Sequence, residues 1–356
     1  MQVRVRLAPL AVALSLLVLD GKALALDQAL LLSRRAGWIE AIDLESLATV
    51  SRIRVPAMTD SVAADPSGRR LFVAAPASAE KGCCALFALD LYTMQLSHLI
   101  EPAQRAVVTS ERIFTQRGNV GIESFDSQSL SRLPTLKAPG VYRLQASPDG
   151  RLLVGTASWP EPSLDLFDAL KGSRIASRTF SAASNLSGVW LGPRYLLLDV
   201  QSAYASLSFV NTDPLGLGRS LTVPLPAQTS ECGQLPYDLV AAGGRIVIYP
   251  RFGLKERGSC SGSAGLLVVD PDTGATSAPF QTELHLRQLV AGSDGQSLYG
   301  LDVGSPAWQQ VRIVRIDASS MQIIGSRSLD PDVWYLTMGS IPHEWNGKLD
   351  LVATKN

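Results

Sequence analysis

Ser147-Pro148-Asp149-Gly150-Arg151-Leu152-Leu153-Val154, followed ten residues on by Leu164-Asp165-Leu166-Phe167-Asp168, decides how this chain is read. The first stretch is a tight turn feeding a strand. Pro148 presets φ at one turn position, Gly150 supplies φ > 0 at another, and an apolar run follows. The second stretch is a short apolar run that ends in an acid and turns again through small polar residues. This second pattern recurs, with runs closing at Asp43 (Trp38-Ile39-Glu40-Ala41-Ile42-Asp43), Asp90, Asp126, Asp168, Asn211 (Ser208-Phe209-Val210-Asn211), Asp270 and Asp317. A spacing of about 36 to 59 residues brackets the four-strand period of a propeller blade. The expected fold is therefore all-β: a seven-bladed β-propeller with four-stranded antiparallel blades.

Working outward, each repeat divides into an inner strand, a turn, a second strand, a loop, the strand ending in the acid, and an outer strand. In the second blade these are Ser61 to Ala64, the turn Asp65-Pro66-Ser67-Gly68, Leu71 to Ala74, Ala85 to Asp90, and Gln95 to Ile100. In the sixth, Ala242-Gly243-Gly244-Arg245 takes the turn and Gly265 to Asp270 the third strand. An inner strand for the first blade is missing from the N-terminus, and Trp334-Tyr335-Leu336-Thr337-Met338 is the candidate for it. The C-terminal strand is thus expected to close the ring, which removes two exposed sheet edges. Lys348 to Thr354 is then one strand more than the arithmetic needs, unless it or Ala29 to Ser33 lies outside the regular blade.

The chain opens with Met1-Gln2-Val3-Arg4-Val5-Arg6, an apolar stretch from Leu7 to Leu19, and Ala23-Leu24-Ala25. Two arginines, an apolar run too short to span a bilayer and an Ala-x-Ala site predict a secretory signal peptide over residues 1–25. The charges of Asp20 and Lys22 leave an uncleaved anchor as the alternative. Residues 26–356 then form one propeller domain, secreted or periplasmic, with no membrane span after cleavage. Lys+Arg 32 balance Asp+Glu 32 without blocks, which argues against nucleic acid as a partner. Aromatics are only 6%, while Gly (29) and Pro (21) are plentiful, as short strands joined by tight turns require.

Turns such as Ser147-Pro148-Asp149-Gly150-Arg151 and strands such as Val268-Val269-Asp270-Pro271-Asp272-Thr273-Gly274 resemble those of the secreted seven-bladed propellers with Tyr-Val-Thr-Asn repeats. That superfamily also contains the propeller subunits of quinoprotein amine dehydrogenases and the propeller lactonases. The resemblance covers nearly the whole mature chain and is a match to a repeat, so it implies the fold and carries over no catalytic residue. The third and fifth blades depart from it: Thr109-Ser110-Glu111-Arg112 and Gly192-Pro193-Arg194 replace the usual turn.

Because strands alternate direction within a blade, the loop between second and third strands and the connection to the next blade share one face. The long loops gather there, and function on a rigid scaffold concentrates in such loops. They carry Trp159 with Glu161, Tyr204, Tyr237 with Asp238, Arg251, and Trp308. Inner strands begin at the same face, bringing Arg105, Arg143, Arg287 and Tyr335 near the mouth of the axial channel. Several arginines around one funnel suit an anionic small molecule or an acidic patch on a protein partner.

All four cysteines fall on the long-loop face, and an even count in a secreted chain suggests disulfides, with three pairings open. Cys83 and Cys84 belong to the second blade, Cys232 and Cys260 to the sixth. Cys232 with Cys260 is the favoured pair, closing about 28 residues for on the order of 3 kcal/mol in the chain-entropy model. Cys83 with Cys84 would then be a strained bond between neighbours.

No Cys-x-x-Cys-His run, nucleophile elbow or Gly-rich phosphate loop occurs, and the histidines His98, His285 and His343 are far apart. No metal site, cofactor or catalytic residue is expected. The strand-ending acids read as acceptors for the following turn rather than as a calcium ladder. The sequence reading is a binding or scaffold module working through its long-loop face, rather than an enzyme. Its alternatives are a non-catalytic propeller subunit of a periplasmic quinoprotein-type oxidoreductase, and a lactonase-like enzyme acting on an anionic small molecule.

Overall fold

The computed structural model describes residues 26–34, 37–55, 61–76, 84–103, 105–117, 121–138, 140–157, 161–181, 184–201, 204–225, 236–252, 265–281, 283–304, 310–342, 351–352 and 354–355. Among the described residues the regular structure is all strand, arranged as seven blades. Their inner strands are Val333–Pro342 for blade 1, then Ser61–Ala64, Ala106–Val108, Val141–Ala146, Asn185–Leu191, Tyr237–Ala242 and Leu286–Ala291 for blades 2 to 7. The signal-peptide reading falls on residues outside the described ones.

The core is divided between the blades. Seven apolar clusters occur, one at each blade–blade interface. Leu71, Val73 and Ala75 of the second strand of blade 2 face blade 1, while Phe72 between them faces blade 3. In blade 5, Leu196 and Leu198 face blade 6 while Leu197 faces blade 4. Strands buried on both faces read as unbroken apolar runs, which is why the repeats stand out as runs and not as alternations. The cluster between blades 7 and 1 joins Tyr299, Leu301 and Ile313 to Leu30, Leu32 and Leu336, so the ring is closed by packing as well as by pairing.

Closure is made by the C-terminal strand: Val333–Pro342 runs antiparallel to Leu26–Arg34, with Leu30 opposite Met338. The surplus strand also finds its place. Leu351–Val352 lies parallel to the outer strand of blade 1, Thr49–Arg54, and Thr354–Lys355 lies parallel to that of blade 2, Gln95–Ile100. One terminal segment therefore covers the outer edges of two adjacent blades, and Leu26–Arg34 is a regular blade strand.

The strand-ending acids act on their own turns. Asp43 Oδ1 accepts from the backbone N–H of Glu45 (3.1 Å) and Ser46 (2.7 Å), and Asp90, Asp126, Asp168, Asp270 and Asp317 repeat the arrangement. Four residues after each of these acids the backbone is left-handed, at Leu47, Met94, Leu130, Gly172, Gly274 and Met321. That conformation costs a non-glycine residue about 1–2 kcal/mol, less than the benefit of burying a large apolar side chain, roughly 1.5–3 kcal/mol. Leu47 and Met321 accordingly lie in the interblade core. Where glycine stands instead, the neighbour fills the space: a Cβ on Gly274 would meet Leu221 of blade 5 at 3.0 Å.

Two expectations are corrected. Asn211 does not close its strand: the two-residue turn Asp213-Pro214 lets the ladder run on, so that Asn211 pairs with Gly216 and Thr212 with Leu215. The third strand of blade 6 is shorter than expected, Leu267–Val269, and its fourth line is made by the bridges Leu266 to Phe280 and Val269 to Thr276.

Candidate ligand-binding site

The starts of the inner strands surround an axial cavity of about 280 Å³ at the long-loop face. Arg105 enters it just before the inner strand of blade 3, Arg143 from blade 4, Asp238 from blade 6, Gln288 from blade 7 and Tyr335 from blade 1. Tyr249 and Arg251, at the end of the second strand of blade 6, complete that side, and Gln116 and Gln145 complete the other.

A repeated backbone device precedes three of these side chains. In blades 4, 7 and 1 the pairing register slips by one residue, at Tyr142, Arg287 and Trp334. The cavity residues Arg143, Gln288 and Tyr335 come immediately after. A bulge of this kind bends its strand and re-aims the next side chain, and bulges gather beside functional sites. It also explains why Gln288 lines the wall while Arg287, expected at the mouth, is the slipped residue before it.

Charge is distributed unevenly on the wall. Asp238 Oδ1 accepts from the Ser187 hydroxyl (2.5 Å) and from the Leu239 N–H (3.0 Å). Arg143 donates to Ser187 Oγ (2.8 Å) and lies 3.5 Å from the same carboxylate oxygen. Arg251 faces the other oxygen of Asp238 at 3.9 Å, an ion pair without hydrogen-bond contact. Burial holds the Arg251 guanidinium below its ordinary pKa, and repulsion from Arg143 and Arg105 adds to that, against the pull of Asp238. Arg105 reaches two blades round to stack on the ring of Tyr335, 4.9 Å from its centroid, a cation–π contact.

The neutral groups are fixed by backbone partners. Gln145 Nε2 donates to the Gly188 carbonyl (2.7 Å) and Gln288 Oε1 accepts from the Leu336 N–H (3.1 Å). The Leu289 N–H donates to the Tyr249 hydroxyl (3.1 Å), whose pKa burial pushes up, so Tyr249 stays neutral. These bonds also tie blades 4 to 5, 7 to 1 and 6 to 7, so the cavity wall belongs to the ring's own fastening.

Of the residues singled out from sequence, Arg105, Arg143, Asp238, Arg251 and Tyr335 meet in this one cavity. Tyr237 is buried in the core between blades 5 and 6, one residue before Asp238. Glu161 is exposed before the third strand of blade 4. Tyr204 begins the third strand of blade 5. Trp159, Trp308, Cys83, Cys232 and Cys260 lie outside the described residues, and Cys84 begins the third strand of blade 2. Sequence reading missed Gln116, Gln145, Ser187 and Tyr249, neutral side chains that belong to no motif and carry no charge to single them out. His285 packs against Phe252, with Nδ1 3.1 Å from the Glu283 carbonyl, and His98 packs against Phe87.

No protein-family model and no curated protein matches this sequence. Solved structures do. A putative 6-phosphogluconolactonase from Bacteroides fragilis is 13% identical with a TM-score of 0.62, over 87% of this chain and 98% of that one. Hydrazine synthase of Kuenenia stuttgartiensis is 13% identical with a TM-score of 0.58, over 83% and 90%. Dihydro-heme d1 dehydrogenase NirN is 12% identical with a TM-score of 0.51, over 87% and 74%. The shared property is the fold. The chain is a seven-bladed β-propeller, and at these identities its neighbours assign it no residue and no reaction.

Proposed function

We propose that this protein is an extracytoplasmic binding module that works through its long-loop face and takes a small anion in the axial cavity. The observation that carries this reading is the excess of three guanidiniums, Arg105, Arg143 and Arg251, over the single carboxylate of Asp238 on one wall. Like charges confined around 280 Å³ repel one another, and an entering carboxylate or phosphate relieves that repulsion through charge-assisted hydrogen bonds. The extracytoplasmic location draws on the N-terminal pattern of residues 1–25. The oxidoreductase-subunit and lactonase-like alternatives draw on fold likeness and add no residue to the site.

Calorimetric titration with small dicarboxylates and inorganic phosphate tests the reading. Arg143→Met and Arg251→Met should each weaken binding about 10-fold or more, the worth of one charge-assisted bond, and raised salt should weaken it further. Binding of no anion, or affinities unchanged in both variants, would overturn it.

A further inference from the structure

The wall of the cavity offers hydrogen-bond acceptors as well as positive charge, and a bare anion uses only the second. Asp238 Oδ2 lies on the wall with Arg251 at 3.9 Å, beyond hydrogen-bond reach. Gln145 is held with Nε2 on the Gly188 carbonyl, which accepts and cannot donate, so the amide oxygen is the atom left over. That Oε1, and the Oε1 of Gln116 across the wall, are buried without a hydrogen-bond partner, and Gln116 as a whole is only 6% exposed. A buried acceptor lacking its donor is costly, and natural proteins leave few of them.

We infer that the ligand is a hydroxylated dicarboxylate: two negative charges for the arginines, and hydroxyl donors for Asp238 Oδ2 and the two glutamine oxygens. The inference rests on the anion reading above and adds the chemical class. Three guanidiniums against one carboxylate leave two positive charges, which a dianion neutralises. Hydroxyls suit these acceptors better than an ammonium group does. An ammonium at Asp238 would stand beside Arg143 and Arg251, 3.5 and 3.9 Å from that carboxylate, and be repelled by both. Gln288, its Oε1 taken by the Leu336 N–H, has its amide hydrogens left as further donors to carboxylate. Size agrees. At about 280 Å³ the cavity stands at the small end of ligand pockets, as a four-carbon acid requires.

The test uses four compounds on one four-carbon skeleton, titrated calorimetrically into the mature protein. Succinate has no hydroxyl, malate one, tartrate two, and aspartate an ammonium group. Affinity should rise from succinate through malate to tartrate, about 10-fold per hydroxyl as for a site that hydrogen-bonds its ligand, and aspartate should bind no better than succinate. In Gln116→Leu and in Asp238→Asn the tartrate-to-succinate ratio should fall toward one. Reading a ratio within each variant separates the effect from any change in folding. If succinate and tartrate bind equally, and both weaken in Arg251→Met, the anion reading stands and the hydroxyl assignment falls. Aspartate binding more tightly than malate would also overturn it, in favour of an amino acid. Binding of none of the four, nor of phosphate, would remove both readings together.

Discussion

The guanidinium of Arg143, on the inner strand of blade 4, lies 3.5 Å from the carboxylate of Asp238, on the inner strand of blade 6. Blade 5 stands between them and contributes the Ser187 hydroxyl, which receives a hydrogen bond from Arg143 and gives one to Asp238. One short chain of atoms therefore spans three blades at the cavity wall. It fastens the ring and it also sets the charge a ligand meets, so stability and binding should be coupled here.

Asp238→Ala tests that coupling. The substitution leaves two guanidiniums without their counter-charge, but all three groups are partly exposed, with side chains 18%, 21% and 32% accessible for Arg143, Asp238 and Arg251. The cost of about 3–5 kcal/mol for breaking a buried pair is discounted accordingly to about 1–2 kcal/mol. Millimolar phosphate should restore more stability to the variant than to the wild type, because the anion no longer competes with Asp238. Equal stabilisation of the two proteins in urea titrations would show that Asp238 and the anion do not share a site.

Acid should loosen the propeller through its turns. Hydrogen bonds from the Ser319 hydroxyl and from Ser320 hold the Asp317 carboxyl at about 2, and those from Ser46 lower Asp43. An unfolded aspartate titrates near 3.9, so the unfolded chain binds these protons first. The stability each turn contributes is fully present above about pH 4 and is lost as pH falls toward the folded value near 2. Denaturant midpoints across that window should decline, and the decline should be shallower in Asp317→Ala and shallower again in Asp43→Ala/Asp317→Ala. A slope unchanged by both substitutions would place the acid sensitivity elsewhere.

Leu47 sets backbone strain against burial. It holds φ 57° and is buried between blades 7 and 1. Leu47→Gly relieves about 1–2 kcal/mol of left-handed strain but gives up a buried leucine worth about 2–5 kcal/mol. The net should be a loss of about 1–3 kcal/mol, seen as a lower midpoint at unchanged m-value. Leu130, with φ 59° but only partly buried, should tolerate glycine with little change. The reverse order of the two variants would mean that strain, not packing, dominates at these turns.

These turns also show what the sequence makes legible. Strands packed on both faces print as apolar runs, and an Asp that caps its own turn punctuates each run, so blade count and ring closure can be read from residues such as Asp43, Asp90 and Trp334 to Met338. Arg105, Arg143, Arg251 and Asp238 could be gathered as well, because inner strands must start at the long-loop face. Side-chain direction could not be read. The bulges at Tyr142, Arg287 and Trp334 shift which neighbour meets the axis, and they leave no composition signal. The same limit hid Glu40 and Glu123. Each stands three residues before a strand-ending Asp, is fully buried, and is paired within its blade, Glu40 with Arg34 and Arg52 and Glu123 with Arg117 and Arg132. In sequence they look like outward polar positions.

The two roles of the C-terminal segment can be separated by truncation. Val333–Pro342 is the inner strand of blade 1: it pairs along Leu26–Arg34 and lends Leu336 to the core between blades 7 and 1. Leu351–Val352 and Thr354–Lys355 make only two-residue parallel ladders on the outer edges of blades 1 and 2. Deleting residues 343–356 should therefore leave a folded ring with a melting temperature only a few degrees lower, since each lost hydrogen bond is worth about 1 kcal/mol net. Two strand edges would be uncovered, so association at high concentration should increase. Deleting residues 333–356 removes an inner strand, exposes the apolar faces of blades 7 and 1, and should abolish cooperative unfolding. Chromatography and thermal melts of the two proteins distinguish these outcomes. If the shorter deletion also unfolds the chain, the inner strand alone does not hold the ring shut and the outer strap is needed as well.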